Sequence, residues 1–325
     1  MPDLEMARKR LESFPAVPLA QLPSPVDDLS RLREALGLEC RLLAKRDDQI
    51  AFGFGGNKIR KLTLVAAEAS GADLLITCGG VQSNHCRATA AVAARLGVRC
   101  HIVVNGSRPE RPTGNALLVS LYGAHLTYVA TRAERAAAME RIAAEHSAIG
   151  GKPAVIPLGA STATGAMAIA RGVGEMVAQG VTPDVIVHAS SSGGTQAGLI
   201  AGCALYAPDT RVIGISADDP AGEISGVIRR LLSDMESALD AGFGALGSQS
   251  AISVDDAFVG GGYGVPTPAS TEAQQLAARH EAMLLDHWYT AKAKAALIDR
   301  ARRGEFTGAR AVLFWHTGGQ PGALA

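Results

Sequence analysis

The stretch DVIVHASSSGGTQAG, residues 184–198, decides how the rest of the chain is read. Val185, Ile186 and Val187 are apolar without interruption, as in a strand covered on both faces. Ser190, Ser191, Ser192, Gly193, Gly194 and Thr195 follow, and then an Ala-rich pattern of helical period. A strand feeding a helix through such a turn aims free backbone N–H groups and hydroxyls at one point. That is a cradle for an anion, most naturally a phosphate. The same residues also read as a plain turn with Ser and Thr capping the helix. The dinucleotide fingerprint G-x-G-x-x-G is not matched.

The unit recurs on either side. Strand-like runs lie at 73–78, 99–104, 124–129, 154–158, 211–216 and 311–315. Helical patterns lie at 83–96, 113–122, 132–149, 164–179, 195–206 and 290–303. This alternation predicts an α/β protein with mostly parallel sheets and helical crossovers. In open parallel sheets, ligands sit beyond the carboxyl ends of the strands. Three polar, Gly-rich clusters fall there: Gly79 to His85, Ser190 to Thr195, and His316 to Gly319. Together they point to a single crevice.

Composition narrows the function. A length of 325 residues is enough for two domains. Lys plus Arg number 31 against 31 Asp plus Glu, so nucleic acid is not the expected partner. Apolar residues at 47% and charged residues at 19% exclude disorder. The five cysteines form no C-x-x-C pair, which fits a reducing, cytoplasmic location. Residues 1–15 carry charges and no apolar core, so a secretory leader is not expected. No apolar run reaches membrane-spanning length. The eight histidines show no zinc spacing, and no metal site is expected.

Lysine is scarce, at only seven positions, which limits amine chemistry. Lys58 ends the run Gly53-Phe54-Gly55-Gly56-Asn57-Lys58. A nucleotide P-loop would place Lys directly after Gly and a hydroxyl after Lys; here Asn57 intervenes and Ile59 follows. What remains is a lysine at the start of a helix, where the dipole disfavours the ammonium and lowers its pKa. That suits an amine able to form a Schiff base, although a lone lysine there also reads as a surface residue. Gln82-Ser83-Asn84-His85 opens another helix and offers donors suited to a carboxylate, with Ser83 also a plain cap. Ser83 and His85 are two residues apart and face differently on a helix, and no G-x-S-x-G elbow occurs, so a Ser–His hydrolase is disfavoured.

Seven motifs in order then resemble a known family. They are Lys45-Arg46-Asp47-Asp48, Gly55-Gly56-Asn57-Lys58-x-Arg60-Lys61-Leu62, Gly79-Gly80-Val81-Gln82-Ser83-Asn84-His85, Ser192-Gly193-Gly194-Thr195-Gln196-Ala197-Gly198, Gly262-Tyr263-Gly264-x-Pro266, Tyr289-Thr290-x-Lys292 and His316-Thr317-Gly318-Gly319. The set resembles the D-cysteine desulfhydrase and 1-aminocyclopropane-1-carboxylate deaminase family, within the fold-type II (tryptophan synthase β-like) enzymes that use pyridoxal 5'-phosphate.

The resemblance implies two α/β domains, each a twisted, mostly parallel sheet flanked by helices. The large one would span residues 1–53 and 165–325, with the small one, 54–164, inserted between. It implies Lys58 as the amine that carries the cofactor. Asn84 would meet the cofactor's phenolic oxygen, Ser191, Ser192, Gly193, Gly194 and Thr195 its phosphate, and Thr317 its pyridine nitrogen. Gln82, Ser83, Asn84, His85 and Thr290 are the implied substrate side, and Lys58, Tyr289, Tyr263 and Ser83 the implied catalytic groups. A homodimer is usual in the family.

The implied reaction is α,β-elimination from D-cysteine or a close β-substituted amino acid, giving pyruvate and ammonia. A neutral Thr317 makes the ring a weaker electron sink than an Asp would, which is sufficient when a leaving group drains the charge. Thr290, where the cyclopropane deaminases usually have Glu, favours elimination over ring opening. His287-Trp288-Tyr289-Thr290-Ala291-Lys292 departs from the usual Pro-Val-Tyr-Thr-Gly-Lys, and Leu158-Gly159-Ala160-Ser161-Thr162 from the usual Gly-Gly-Ser-Asn. These departures leave ring opening and sulfite elimination from cysteate as alternatives. A non-catalytic amino-acid-binding protein is a third, disfavoured because Lys58 and Thr317 are both present.

Overall fold

A computed structural model of the chain describes residues 4–242, 244–247 and 251–325. Helix α1 (Leu4–Ser13) leads into strand β1 (Val26–Asp28), α2 (Ser30–Ala35) and β2 (Arg41–Arg46). There follow α3 (Asn57–Glu68), β3 (Leu74–Gly80), α4 (Asn84–Leu96), β4 (Arg99–Asn105), α5 (Gly114–Leu121), β5 (His125–Val129), α6 (Glu134–Ala148) and β6 (Pro153–Val155). The chain continues through α7 (Ala163–Ala178), β7 (Val185–Ser190), α8 (Gly194–Tyr206), β8 (Arg211–Ser216), α9 (Ala221–Leu239) and β9 (Ser253–Asp255). It closes with α10 (Pro268–Glu281), α11 (Thr290–Arg302) and β10 (Ala311–His316).

Two sheets result. The larger has the order β1-β2-β10-β7-β8-β9, and the smaller β5-β4-β3-β6. Among the described residues every pairing is parallel except the edge pair of β1 with β2. In the larger sheet α1, α7, α8 and α9 pack on one face around Ile169, Leu199 and Trp315. Helices α2, α10 and α11 cover the other face around Val187, Leu297 and Phe314. The smaller sheet is covered by α3, α4 and α5 on one face and by α6 on the other. Leu19 and Ile50, from before α3, join the smaller sheet's core.

Strand order reverses twice. After β7 the chain builds outward through β8 and β9, then returns to place β10 on the other side of β7. After β3 it builds through β4 and β5, then returns to place β6 on the other side of β3. Diverging loops at such switch points open a crevice. The loops after β3, β6, β7 and β10 carry the clusters around Gln82, Gly159, Ser192 and Thr317.

Several elements depart from the sequence expectation. The run at 154–158 yields only the short β6, because Pro157 has no N–H to continue a ladder. Strand β2 is absent from the expected set, since Lys45 and Arg46 interrupt its apolar pattern. Both are nonetheless buried, and ion pairs with Glu175, Asp27 and Asp48 offset the burial of their charges. Helices α1, α2, α9 and α10 and strands β1 and β9 are likewise additions to that set. Of these α9 is the longest helix, at 19 residues.

Candidate active site

A cavity of about 490 Å³ opens between the two sheets. Its lining includes Lys58, Gln82, Ser83, Asn84, His85, Ser191, Ser192, Gly193, Thr195, Tyr263, Tyr289 and Thr317. Residues far apart in sequence are thus gathered at one place. Trp288, Leu158 and Gly159, from the two segments that depart from the family pattern, also line it.

Lys58 is positioned by the turn before it. Gly53, Phe54, Gly55 and Gly56 all have positive φ, which bends the chain into the start of α3. A Cβ at Gly56 would meet the Thr317 carbonyl oxygen at 2.9 Å, so only glycine lets the turn approach the β10 loop. Asn57 ties both sides together: its N–H donates to that carbonyl at 3.0 Å and its side-chain amide to Thr195 Oγ1 at 2.8 Å. The Lys58 amine lines the cavity and, among the described residues, hydrogen-bonds only to the Gly159 carbonyl, at 3.5 Å. Burial lowers it to about 8. The direction agrees with the sequence expectation, and the cause is the hydration the amine loses on burial.

Lys61 is not singled out by the sequence reading. It sits one helical turn beyond Lys58 on the same face of α3, the spacing that could have found it. Its buried amine donates to the Gly159 carbonyl at 3.2 Å and to Ser161 Oγ at 3.4 Å, and Ser161 Oγ lies 2.7 Å from Ser192 Oγ. A Cβ at Gly194 would meet the Lys61 amine at 2.7 Å. Burial and then the Lys58 charge lower this amine well below its ordinary value. Among the described residues no carboxylate acts on either amine. Two uncompensated amines beside a loop of hydroxyls and backbone N–H groups at the start of α8 form a site for a multiply charged anion such as a phosphate ester.

The opposite wall is built on α4. Ser83 is its N-cap, accepting from the Cys86 N–H at 3.3 Å. His85 turns away from Ser83 and shares a 2.7 Å hydrogen bond with Thr77 Oγ1; burial and then Lys58 push its imidazole well below its ordinary pKa. Asn115 on α5 holds Gln82 and Asn84, donating through its side chain to the Gln82 carbonyl at 3.0 Å and to Asn84 Oδ1 at 2.9 Å. Its backbone N–H donates to Gln82 Oε1 at 2.8 Å. Behind it the buried Arg87 donates to Asn115 Oδ1 at 3.1 Å and to the carbonyls of Gly53 and Gly55. Nothing local in the sequence marks Asn115 or Arg87, because their roles arise only when the α3 turn, α4 and α5 meet.

The phenols of Tyr263 and Tyr289 lie 2.6 Å apart, with rings edge to face at 5.6 Å. Burial raises both above the ordinary tyrosine value. Lys292 holds the Tyr263 loop by donating to the carbonyls of Ala217, Val259 and Gly262 at 2.7–3.0 Å. At the mouth, Arg132 pairs with Asp218 and Asp219 across the cleft and lies over the Tyr263 ring.

Two expected site residues do not line the cavity. Thr290 is fully buried, and its hydroxyl accepts from the Asp286 N–H at 2.9 Å. Gly194 forms the first turn of α8 and faces Lys61 and Ser161. His316 supports the β10 turn, reaching the Leu284 carbonyl at 3.0 Å and accepting from the Gly318 N–H at 3.2 Å.

The architecture and the paired amines define a class, the enzymes that hold pyridoxal phosphate between two α/β sheets. The chain belongs to the pyridoxal-phosphate dependent enzyme family, whose model matches residues 17–318. It is 38% identical to the D-cysteine desulfhydrase of Salmonella typhi over 98% of each chain. It is 36% identical to that of Klebsiella pneumoniae over the same shares. Among solved structures it superposes on an ACC deaminase homologue with a TM-score of 0.89, at 32% identity over 98% of this chain and 96% of that one. A maize serine racemase shares the fold at a TM-score of 0.67 and 16% identity, over 98% of this chain and 94% of that one.

Proposed function

We propose that this chain is a lyase that converts D-cysteine, or a close β-substituted amino acid, with water into pyruvate, ammonia and the leaving group, which is sulfide for cysteine. The observation that carries the reading is the pair of amines on Lys58 and Lys61 beside the Ser191–Thr195 loop, in a chain similar over its full length to D-cysteine desulfhydrases. Ser191 to Thr195 and Lys61 would hold the cofactor phosphate, Asn84 its phenolic oxygen and Thr317 its ring nitrogen. Bound there, pyridoxal phosphate supplies an electron sink for charge left at the substrate's α-carbon.

The chain's own groups do the rest. The start of α4, with Gln82 and Ser83, grips the substrate carboxylate. The Lys58 amine, lowered to about 8, exchanges a proton near neutral pH. The coupled phenols Tyr263 and Tyr289, kept protonated by burial, deliver a proton to the leaving group. Thr290 acts through Asp286 and Tyr289 rather than by touching substrate. The division into a large domain (1–53 and 165–325) and a small one (54–164), a homodimeric state and a cytoplasmic location belong to the same proposal. The five buried free cysteines are consistent with the last.

The likeness to an ACC deaminase homologue supports cyclopropane ring opening as a second reading. The purified protein given pyridoxal phosphate is expected to turn yellow and release pyruvate from D-cysteine. Lys58→Ala should be colourless and inactive. Release of 2-oxobutanoate from the cyclopropane amino acid, without pyruvate from any cysteine analogue, favours the second reading. A wild type that stays colourless ends both.

A further inference from the structure

Asn84 carries an amide whose two ends are held from opposite sides of the cleft. Its Oδ1 accepts from Asn115 Nδ2 at 2.9 Å, and its Nδ2 donates to Asp286 Oδ2 at 3.3 Å. Asn115 belongs to α5, beside the smaller sheet. Asp286 lies between α10 and α11, on the larger one. A donor on one end and a carboxylate on the other permit a single orientation of the amide. One Nδ2–H is engaged by Asp286, and the second is left for the cavity that Asn84 lines.

Asp286 is built into this place. It is 1% exposed, and its Oδ1 accepts from the backbone N–H groups of Tyr289 at 2.6 Å and Thr290 at 2.9 Å. A Cβ at Gly319 would overlap the carboxylate, so the β10 turn leaves room for it by being glycine. Among the described residues no Lys, Arg or His forms an ion pair with it. Burial raises its carboxyl to about 6 against the lowering pull of those hydrogen bonds, and its charge in turn helps keep Tyr289 protonated. Burying a carboxylate is costly, and the hydrogen bonds to it offset part of that cost.

We propose that Asp286 and Asn115 are positioning residues that clamp the Asn84 amide, fixing which of its atoms faces the cofactor, and that Asp286 sets the Tyr289 segment in the same act. The clamp draws one partner from each side of the cleft, so it exists only where the two sheets meet. The inference rests on the pyridoxal-phosphate reading of the site.

The test uses full-length protein with pyridoxal phosphate as the probe. Asp286→Asn presents a donor to the Asn84 donor; Asn115→Asp presents an acceptor to the Asn84 acceptor. Each should shift the visible absorption band and raise the cofactor's dissociation constant, measured by dialysis, about tenfold or more, the size expected for one hydrogen bond to a charged group. A mismatched buried pair also costs stability, so the dissociation constant is read well below the melting temperature of each cofactor-free variant, where it is folded. A colourless wild type defeats the cofactor reading itself. A yellow wild type whose variants keep its band and dissociation constant overturns the clamp alone. Failure of both variants to fold also overturns it, in favour of a structural role.

Discussion

Lys294 on α11 shows how burial can dominate the behaviour of one side chain, outweighing the opposing pull of Glu281. Its amine is fully buried, lies 3.9 Å from the centre of the Phe314 ring and has no hydrogen-bond partner among the described residues. Burial lowers it to about 7. Unlike Lys58, it does not line the cavity, so it costs stability without serving the site. Between about 7 and the ordinary 10.5 the unfolded chain binds a proton that the folded chain does not, so folding gains stability as pH rises through that window. Below pH 7 both states are protonated and the cost is complete. Lys294→Met is therefore expected to raise stability by about 1–3 kcal/mol at pH 6, with the gain fading toward pH 10. Urea denaturation of both proteins at the two pH values measures it.

Helices α7 and α8 are pressed together by glycine, and the phosphate loop is carried on the start of α8. Gly198 and Gly202 lie one turn apart on the face that meets α7. A Cβ at Gly202 would stand 2.7 Å from Val173 Cγ2 and 3.0 Å from the Ala170 Cα; one at Gly198 would overlap the Ala166 carbonyl. At Gly202 the closest atoms belong to the Val173 side chain, whereas at Gly198 the overlap is with backbone that cannot yield without moving the helix. Gly202→Ala is expected to cost about 1–3 kcal/mol, and Gly198→Ala more. Because the strain falls at the first turns of α8, Gly198→Ala should also weaken cofactor binding. Denaturant melts and a cofactor titration test the two statements separately.

The halves of the molecule are joined by a buried charge cluster beneath the site. Arg60, two residues after Lys58, pairs with Asp47 after β2 and with Glu175 on α7, at 2.6 and 2.9 Å. Lys45 pairs with Glu175, and Trp315 on β10 donates to Asp47 Oδ2 at 2.9 Å. Burial pushes the Asp47 and Glu175 carboxyls up, but Arg60 and Lys45 outweigh it and hold both below their ordinary values of 3.8 and 4.5. A carboxyl depressed in the folded state contributes stability above its unfolded pKa and loses it as pH falls through the folded one. Wild-type stability should therefore fall steeply below about pH 4.5. Arg60→Met leaves two buried carboxylates with one amine and is expected to cost about 3–5 kcal/mol at pH 7. Chemical denaturation between pH 3 and pH 7 checks both.

Much of this chain is legible in its local pattern. Strands such as β7 and β8 can be read because both faces are covered and their apolar residues run together, and the loops that follow them carry small polar residues in a recognisable order. Lys58, the Ser191–Thr195 loop, Gln82 to Asn84 and Thr317 can be named from those loops. Strand β2 is not legible, because Lys45 and Arg46 look like solvent-facing charges until Glu175 and Asp27 arrive from elsewhere to pair with them. Asn115, Arg87 and Asp286 carry no signature of their own for the same reason: each acts on a group supplied by another segment. Thr290 shows the converse, a residue legible as a motif whose hydroxyl the folded chain turns toward Asp286 and away from the cavity. Periodicity and turn chemistry belong to neighbours along the chain and can be read from it. Which buried charge meets which partner, and which way an amide faces, follows from packing between distant segments and exists only once they have met.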